Sequence, residues 1–107
     1  MINEILKAAG IPYRRARFAK PPAGAYVVYM DDQSTDGPDG LPWLLYHSLT
    51  VELFTADLDG PEEEALEAAI GAQGLQWEKD GAAWDDQTQR YQINYYFDYV
   101  EKRRATT

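Results

Sequence analysis

The residues of this 107-residue chain that could do chemistry are one polar stretch rich in acids, a single histidine and a group of arginines. Residues 32–37, DQSTDG, place oxygen-bearing side chains at positions one, three and five and glycine at position six, as a calcium-binding loop does. Position twelve would be Trp43, where such a loop requires a bidentate glutamate. Turns in which Asp and Ser side chains bond the local backbone explain the stretch better, so we expect no metal and no other cofactor.

Nucleophilic or acid–base catalysis has little support in the sequence. There is no cysteine, and His47 is the only histidine. It falls on the apolar face of a predicted strand, where a hydrogen-bonded core histidine is the common outcome. The neighbouring acids Asp31 and Asp32 do not converge on one site, because successive residues of a strand point to opposite faces. We expect no catalytic site; an enzyme using residues 31–39 is the alternative, and it predicts thermal stabilisation by a metal.

The chain has a formal net charge of −8, and its basic and acidic residues are unevenly distributed along the sequence. Five of the ten basic residues lie in the first twenty positions and three more at 102–104, whereas every acid except Glu4 lies between residues 21 and 101. General nucleic-acid binding is disfavoured, because it requires a basic surface. Basic edges on an acidic body suit docking against a neighbouring copy. A small acidic inhibitor of a basic partner is also compatible with this charge.

The element that must position these residues is a strand at residues 44–54, which has the clearest period of two in the chain. One of its faces is almost entirely apolar, which indicates a central strand facing the core. That face consists of Leu45, His47, Leu49, Val51 and Leu53.

The first part of the chain predicts a helix and two strands. Apolar residues at helical spacing over residues 2–9, followed by Gly10 and Pro12, predict a short amphipathic helix. Residues 13–18 alternate and carry arginines, which indicates an edge strand, and residues 25–30 form a second strand paired with it as a hairpin. Residues 31–42 predict a long exposed loop.

The second part predicts a helix that starts after a cap at Asp59 and closes at Gly74. A strand at residues 75–79 with Leu75 and Trp77 inward, a two-residue hairpin turn at 80–81, and a long strand at about 90–101 follow. The whole is a single α+β domain over residues 1–107, with two helices on a mostly antiparallel sheet of about five strands in the order α-β-β-β-α-β-β. Residues 103–107 are expected to be disordered. No stretch resembles a signal peptide or a membrane span, so we expect synthesis in the cytoplasm.

Taken together, several stretches resemble the small minor structural proteins encoded in the head-to-tail region of siphophages and Gram-positive prophages, of the tail-terminator or tail-completion type. They are EILKAAGIPYRRARFAKPPAGAYVVYMDD, TDGPDG, HSLTVELFT, EEEALEAAIGAQGLQWEKDGAAW and QRYQINYYFDYVEKR, within residues 3–104. The resemblance implies an α+β fold and a hexameric ring at the head–tail junction of the virion. Its implied partners are further copies, the tail tube protein and head-connector or neck proteins, with DNA only passing through the lumen and no membrane.

A hypothesis for the ring interface follows from the charge layout. An edge strand with arginines on one copy meets acids on the next, and the loop at residues 31–42 projects from the ring or lines its lumen. On this hypothesis, reversing Arg15 and Arg17 abolishes the ring, and neutralising the four loop acids leaves folding intact. A head-closure or neck adaptor protein is the alternative role. The predicted interface residues are Arg14, Arg15, Arg17, Lys20, Asp31, Asp32, Asp36, Asp39, Arg103 and Arg104.

Overall fold

The structure, a computed structural model, describes residues 1–36 and 44–102 and confirms the α+β class. The predicted order of elements is also confirmed, with the last part of the chain contributing short strands before the long final one. Its elements are α1 (Ile2–Ala9), β1 (Tyr13–Arg15), β2 (Tyr26–Asp36), β3 (Leu44–Thr55), α2 (Pro61–Gly71), β4 (Glu78–Lys79), β5 (Ala83–Asp85) and β6 (Arg90–Lys102).

The strands form one sheet in the order β1-β2-β3-β6-β4, with β5 also paired to β6. Strand β3 is central, as its alternation predicts. It pairs antiparallel with β2 from Phe54 opposite Tyr26 to Leu44 opposite Asp36. It pairs antiparallel with β6 along its whole length, so β2 and β6 run parallel to each other on its two sides.

The predicted hairpin between the first two strands is wrong, because β1 pairs with β2 in parallel. Strand β1 stops at Arg15, since Ala16 has a left-handed backbone (φ 68°) that no regular strand continues. Residues 16–25 then return the chain to the starting end of β2. The edge position predicted for this segment is confirmed.

The predicted loop at residues 31–42 is also wrong in its first half. Asp31 to Asp36 continue β2, each paired with a residue of β3. Their polar composition predicts turns, but backbone pairing along β3 outweighs that local preference. Residues 37–42 lie outside the described residues.

The segments around α2 differ in detail from the prediction. Gly60, not Asp59, is the N-cap, and the Glu63 carboxylate accepts a hydrogen bond from the backbone N–H of Asp59. The helix ends at Gly71; Gly74 has the left-handed backbone expected of a stop (φ 74°), but three residues later.

Of the strand predicted at residues 75–79, only the last two residues form a strand, β4. Leu75 and Trp77 pack against the core as predicted, but they do so from irregular backbone. The two-residue turn after it does not join a hairpin, since β4 and β5 both pair with β6.

One face of the sheet carries the main core beneath α1 and α2. The buried faces of β3 and β6 alternate as predicted, and Leu53, Leu66 and Tyr95 are fully buried there. A smaller cluster on the opposite face contains Tyr26 and Phe54. No helix in the described part of the chain is long and apolar enough to cross a membrane.

Candidate interaction surface

The sheet is five strands wide in the rows of β1 and β4 and narrows to three strands toward the end that carries Asp36, Leu44 and Lys102. Strand β1 ends opposite Tyr29, and β4 begins opposite Tyr96. From the next row onward only β2, β3 and β6 continue, for six rows of three residues. We call these rows, residues 31–36, 44–49 and 97–102, the arm, and the remaining described residues the body. The arm has an open edge on each side within the described part of the chain.

The outer edge of the arm on β2 presents unpaired backbone groups. Ala16 donates its N–H to the C=O of Tyr29 (2.9 Å), so the odd-numbered residues of β2 direct their backbone groups outward. The guanidinium of Arg15 donates to the next outward carbonyl, that of Asp31 (3.2 Å). The backbone groups of Gln33 and Thr35 therefore face outward with no described strand beside them.

The opposite edge on β6 also has no described strand flanking it beyond β4, although Gln76 and Trp77 line a cavity of about 310 Å³ together with Asp98. Asp80 donates its N–H to the C=O of Asn94 (2.9 Å), which shows that the even-numbered residues of β6 point outward. Beyond Tyr96 these are Asp98, Val100 and Lys102, all exposed. Two unpaired edges on opposite sides of one arm are available for pairing with another chain.

The arm is held together on its buried face by His47. Its Nδ1 lies 2.9 and 3.0 Å from the two carboxylate oxygens of Asp31, and its ring stacks on Tyr99 (centroids 4.3 Å apart). Because an ionised carboxylate only accepts, Nδ1–H is the donor. Burial raises the pKa of Tyr99, and the nearby charge of Asp31 adds to this. The contacts join β2, β3 and β6.

The second nitrogen of His47 is buried and has no hydrogen-bond partner among the described residues. The Glu101 carboxylate lies 3.9 Å from it, too far for a hydrogen bond. In residues 1–36 and 44–102, no three His, Asp or Glu side chains are grouped so that they could hold a metal ion. The pair of His47 and Asp31 is best understood as a clamp between strands.

Asp31 is therefore not an exposed loop acid, contrary to the prediction. Its residue is 8% exposed because β2 continues through it and directs its side chain toward His47. Asp32, the next residue, is exposed on the opposite face, as strand alternation requires. Asp36 ends β2, and its side chain lies outside the described residues, as do Asp39, Arg103 and Arg104.

The predicted basic residues lie together beside β2, in and after β1. Arg14, Arg17 and Lys20 are exposed, whereas Arg15 is exposed but bonded to the Asp31 carbonyl. Reversal of Arg15 would thus disturb the arm inside its own chain, and Arg14 is the cleaner test of an interface.

The row of the sheet that contains Arg14 ends in an acid on the far side. Arg14 pairs with Val28 of β2, the row continues through β3 and β6, and Asp80 closes it at the opposite edge. The Asp80 carboxylate accepts a hydrogen bond from the Tyr96 hydroxyl (3.1 Å) on the face that Arg14 also shares by alternation. Four strand spacings, about 19 Å, separate the two edges, so the two side chains cannot meet within one chain.

The open face of the arm combines apolar and acidic side chains. Met30, just before it, and Tyr46 and Val100 within it are 44%, 38% and 53% exposed. Asp32 and Asp98 lie on either side of Ser48 in one row of this face. A shallow depression of about 250 Å³ lies among these residues.

Ion pairs in the body have a structural purpose. Lys79 Nζ lies 2.7 Å from Glu63 and 2.9 Å from Glu67, and the Tyr95 hydroxyl donates to Glu67 (2.7 Å). The hydrogen bonds to Glu63 and Glu67 raise the pKa of Lys79, and burial with the Glu67 contact raises that of Tyr95. Burial opposes ionisation of Glu67, but its bonds with Tyr95 and Lys79 outweigh this and lower its pKa. The network ties α2 to β4 and β6.

Arg90 performs a similar task at the other end of the body. It donates to the carbonyls of Pro22 (3.1 Å) and Ala23 (2.6 Å), and its guanidinium lies 5.2 Å from the Tyr26 ring centre. These bonds fasten the return segment after β1 to the start of β6. The two basic residues between positions 21 and 101 are thus both internal anchors.

Comparison with known proteins gives a match of fold. No protein-family model matches the sequence, and no curated protein matches it. A chain in the solved structure of the virion of a native gene transfer agent particle is similar, with a TM-score of 0.54 and 16% sequence identity. The match covers 88% of this chain and 81% of that one. At this identity the similarity establishes a shared fold.

Proposed function

We propose that this protein is a structural component of a phage-type virion that forms a ring, caps the tail tube and contributes to the head–tail junction, without catalysis of its own. The fold that it shares with a chain of a gene transfer agent virion supports this assignment most directly. The resemblance of its sequence to tail-terminator proteins supports the finer role. Its partners in this role are further copies, the tail tube protein and the head connector.

The surface is consistent with a protein that acts by docking. The described part of the chain directs polar and charged side chains outward along two open sheet edges. A ring built by head-to-tail contacts requires two different surfaces on each copy, and the two edges of the arm supply them. The acids on its open face would repel DNA phosphates, so DNA could pass such a surface without adhering.

The test is electron microscopy of particles from a phage or prophage in which an early codon of this gene is a stop codon. The proposal predicts DNA-filled heads beside unattached tails, some of abnormal length. Supplying the intact gene from a plasmid should restore joined particles, which serves as the control for polar effects on neighbouring genes.

Other outcomes assign other roles. Normal tails beside leaking or empty heads would move the protein to head closure or a neck adaptor position. Unchanged, infectious particles would overturn the virion role, and a small acidic inhibitor that binds a basic partner in a salt-sensitive complex would become the reading to pursue.

A further inference from the structure

We propose that copies of this protein join by direct strand pairing, with the β6 edge of the arm on one copy adding to the β2 edge of the arm on the next. This inference rests on the proposed ring-forming function and names the contact that builds the ring. It assigns the partner of both open edges to a second copy of this chain.

The limited protection of the β2 edge of the arm is the first argument. Natural proteins shield exposed edge strands by keeping them short, by placing lysine or proline on them, or by covering them. The body does this: β1 and β4 are three and two residues long, and β1 carries arginines. The β2 edge of the arm runs for six residues with no basic residue and no proline, but three of the six are aspartates and Arg15 covers the Asp31 carbonyl. The backbone groups of Gln33 and Thr35 are left without cover, and these are the groups that a partner strand would pair.

The directions of the strands are compatible with this pairing. Because β2 and β6 both run antiparallel to β3, β6 of one copy meets β2 of the next in parallel when the sheet continues across the contact. The outward groups of Asp98, Val100 and Lys102 then face those of Gln33 and Thr35. Each contact uses the β6 edge of one copy and the β2 edge of the next. The first copy keeps its β2 edge free and the second keeps its β6 edge free, so further copies can join by the same contact.

Charge complementarity along the same seam favours a second copy as the partner. Because β1 and β4 widen the body by one strand on each edge, two copies joined along their arms must diverge toward their bodies, and β4 of one copy then lies beside β1 of its neighbour. The Asp80 end of one row then approaches the Arg14 end of the corresponding row. Glu78 on β4 and Arg17 after β1 add exposed charges of the same two signs. Both halves of the seam are therefore present on one chain.

Engineered disulfides can test the seam, since the natural chain contains no cysteine. Ser34 and Val100 lie in one row with Tyr46 between them, about 9.6 Å apart. This exceeds the reach of roughly 7 Å for a disulfide, so the pair S34C/V100C cannot close within a chain. A second pair, S34C/D98C, covers a register shifted by two residues. Each of these two double variants is oxidised in two preparations, the purified protein and the assembled particles.

The expected result is a ladder of covalent oligomers from at least one double variant on a non-reducing gel, which collapses to monomer on reduction. The single variants S34C and V100C should remain monomeric alone and give only mixed dimers when combined. The pair S34C/A68C, which moves the second cysteine to an exposed position of α2, should give no ladder. Circular dichroism melting verifies that each variant folds.

Two results would overturn the seam. Dimers from S34C alone would show symmetric pairing of two β2 edges, and the absence of any ladder in both preparations would exclude strand pairing. Neither result decides the proposed function, which the stop-codon particles test separately: unattached tails without a ladder would leave the virion role standing and remove only this contact.

Discussion

The body and the arm of this protein use the same three long strands for different purposes. In the body, both faces and both edges of the sheet are occupied: helices cover one face, the small aromatic cluster lies on the other, and short strands flank the edges. In the arm, the main core reaches one face through Leu49, Phe97 and Tyr99, the His47 contacts complete that face, and the described edges carry no flanking strand. The body therefore satisfies its own packing and hydrogen bonding, whereas the arm has unpaired backbone groups that another chain could bind.

Polar contacts follow the same division. The body places its ion pairs between elements that are distant in sequence, such as Lys79 with Glu63. The arm has one buried polar pair and a surface of unpaired backbone groups. Stability should therefore reside in the body, while assembly should depend on the arm and on the charged row at its base.

The largest effect should come from the core of the body. Leu53 is fully buried in β3, so L53A leaves a cavity and should lower the free energy of unfolding by about 2–5 kcal/mol. Tyr46, on the same strand but 38% exposed in the arm, is the matched control, and Y46A should cost less than about 1 kcal/mol. Urea denaturation of both variants measures the difference. Equal losses would contradict the division between body and arm.

A smaller and more local effect is expected at His47. The variant H47A removes the buried donor to the Asp31 carboxylate and leaves it only the bond from Gln33 Nε2 (3.0 Å), which should cost about 1–3 kcal/mol. The double variant D31A/H47A removes both partners and should recover part of this loss. Hydrogen exchange should accelerate in residues 45–48 and 97–100 more than in residues 51–55. Uniform acceleration along β3 would show that the arm is not a separate unit of stability.

The charged row at the base of the arm should affect association without affecting folding. R14E or D80R alone places like charges at the proposed seam, and each should weaken self-association about tenfold, or about 1.4 kcal/mol. The swap R14E/D80R should restore it, most clearly at low salt. The variants K7E and E64R make the same charge changes on the exposed surfaces of α1 and α2 as controls. Sedimentation velocity measures association; a swap that fails to restore it would argue against this row.

The sequence predicts the body better than the arm, for a physical reason. Alternation identifies β3 and β6, and Gly10 marks the end of α1, because these signals reflect burial and local backbone conformation. The parallel pairing of β1 with β2 depends on the path of the ten residues that connect them, 16–25, and the composition of this segment does not determine that path. The first half of the predicted loop is a strand only because β3 lies beside it.

The candidate interaction surface also has features that the sequence predicts and features that only the sheet register creates. The basic cluster near Arg14 is visible in the sequence as charge, but its row partner Asp80 is not, since 66 positions separate them and only the sheet register aligns their row. The interaction of Asp31 with His47 is likewise a product of register: the two lie on diagonal positions of paired strands. A period-two pattern gives the face of each residue but not its neighbour across the sheet.

The smallest expected effect concerns the pH dependence of the body. Hydrogen bonds from Tyr95 and Lys79 lower the pKa of Glu67 in the folded state below its ordinary value of 4.5. The stabilisation is therefore fully present above that value and is lost as the pH falls through the lower, folded pKa. Because Glu67 is about one-third exposed, the contribution should be below about 1 kcal/mol.

The variant E67Q should flatten the fall in stability between about pH 5 and pH 3, measured as the urea midpoint across that range. E64Q, at an exposed position of the same helix, should leave the profile unchanged. The arm should be indifferent to E67Q, with hydrogen exchange in residues 45–48 as in the wild type, because the network joins α2 only to β4 and to Tyr95 in the body. An altered arm would mean that the two regions are coupled through β6, and the independence argued from their packing would not hold.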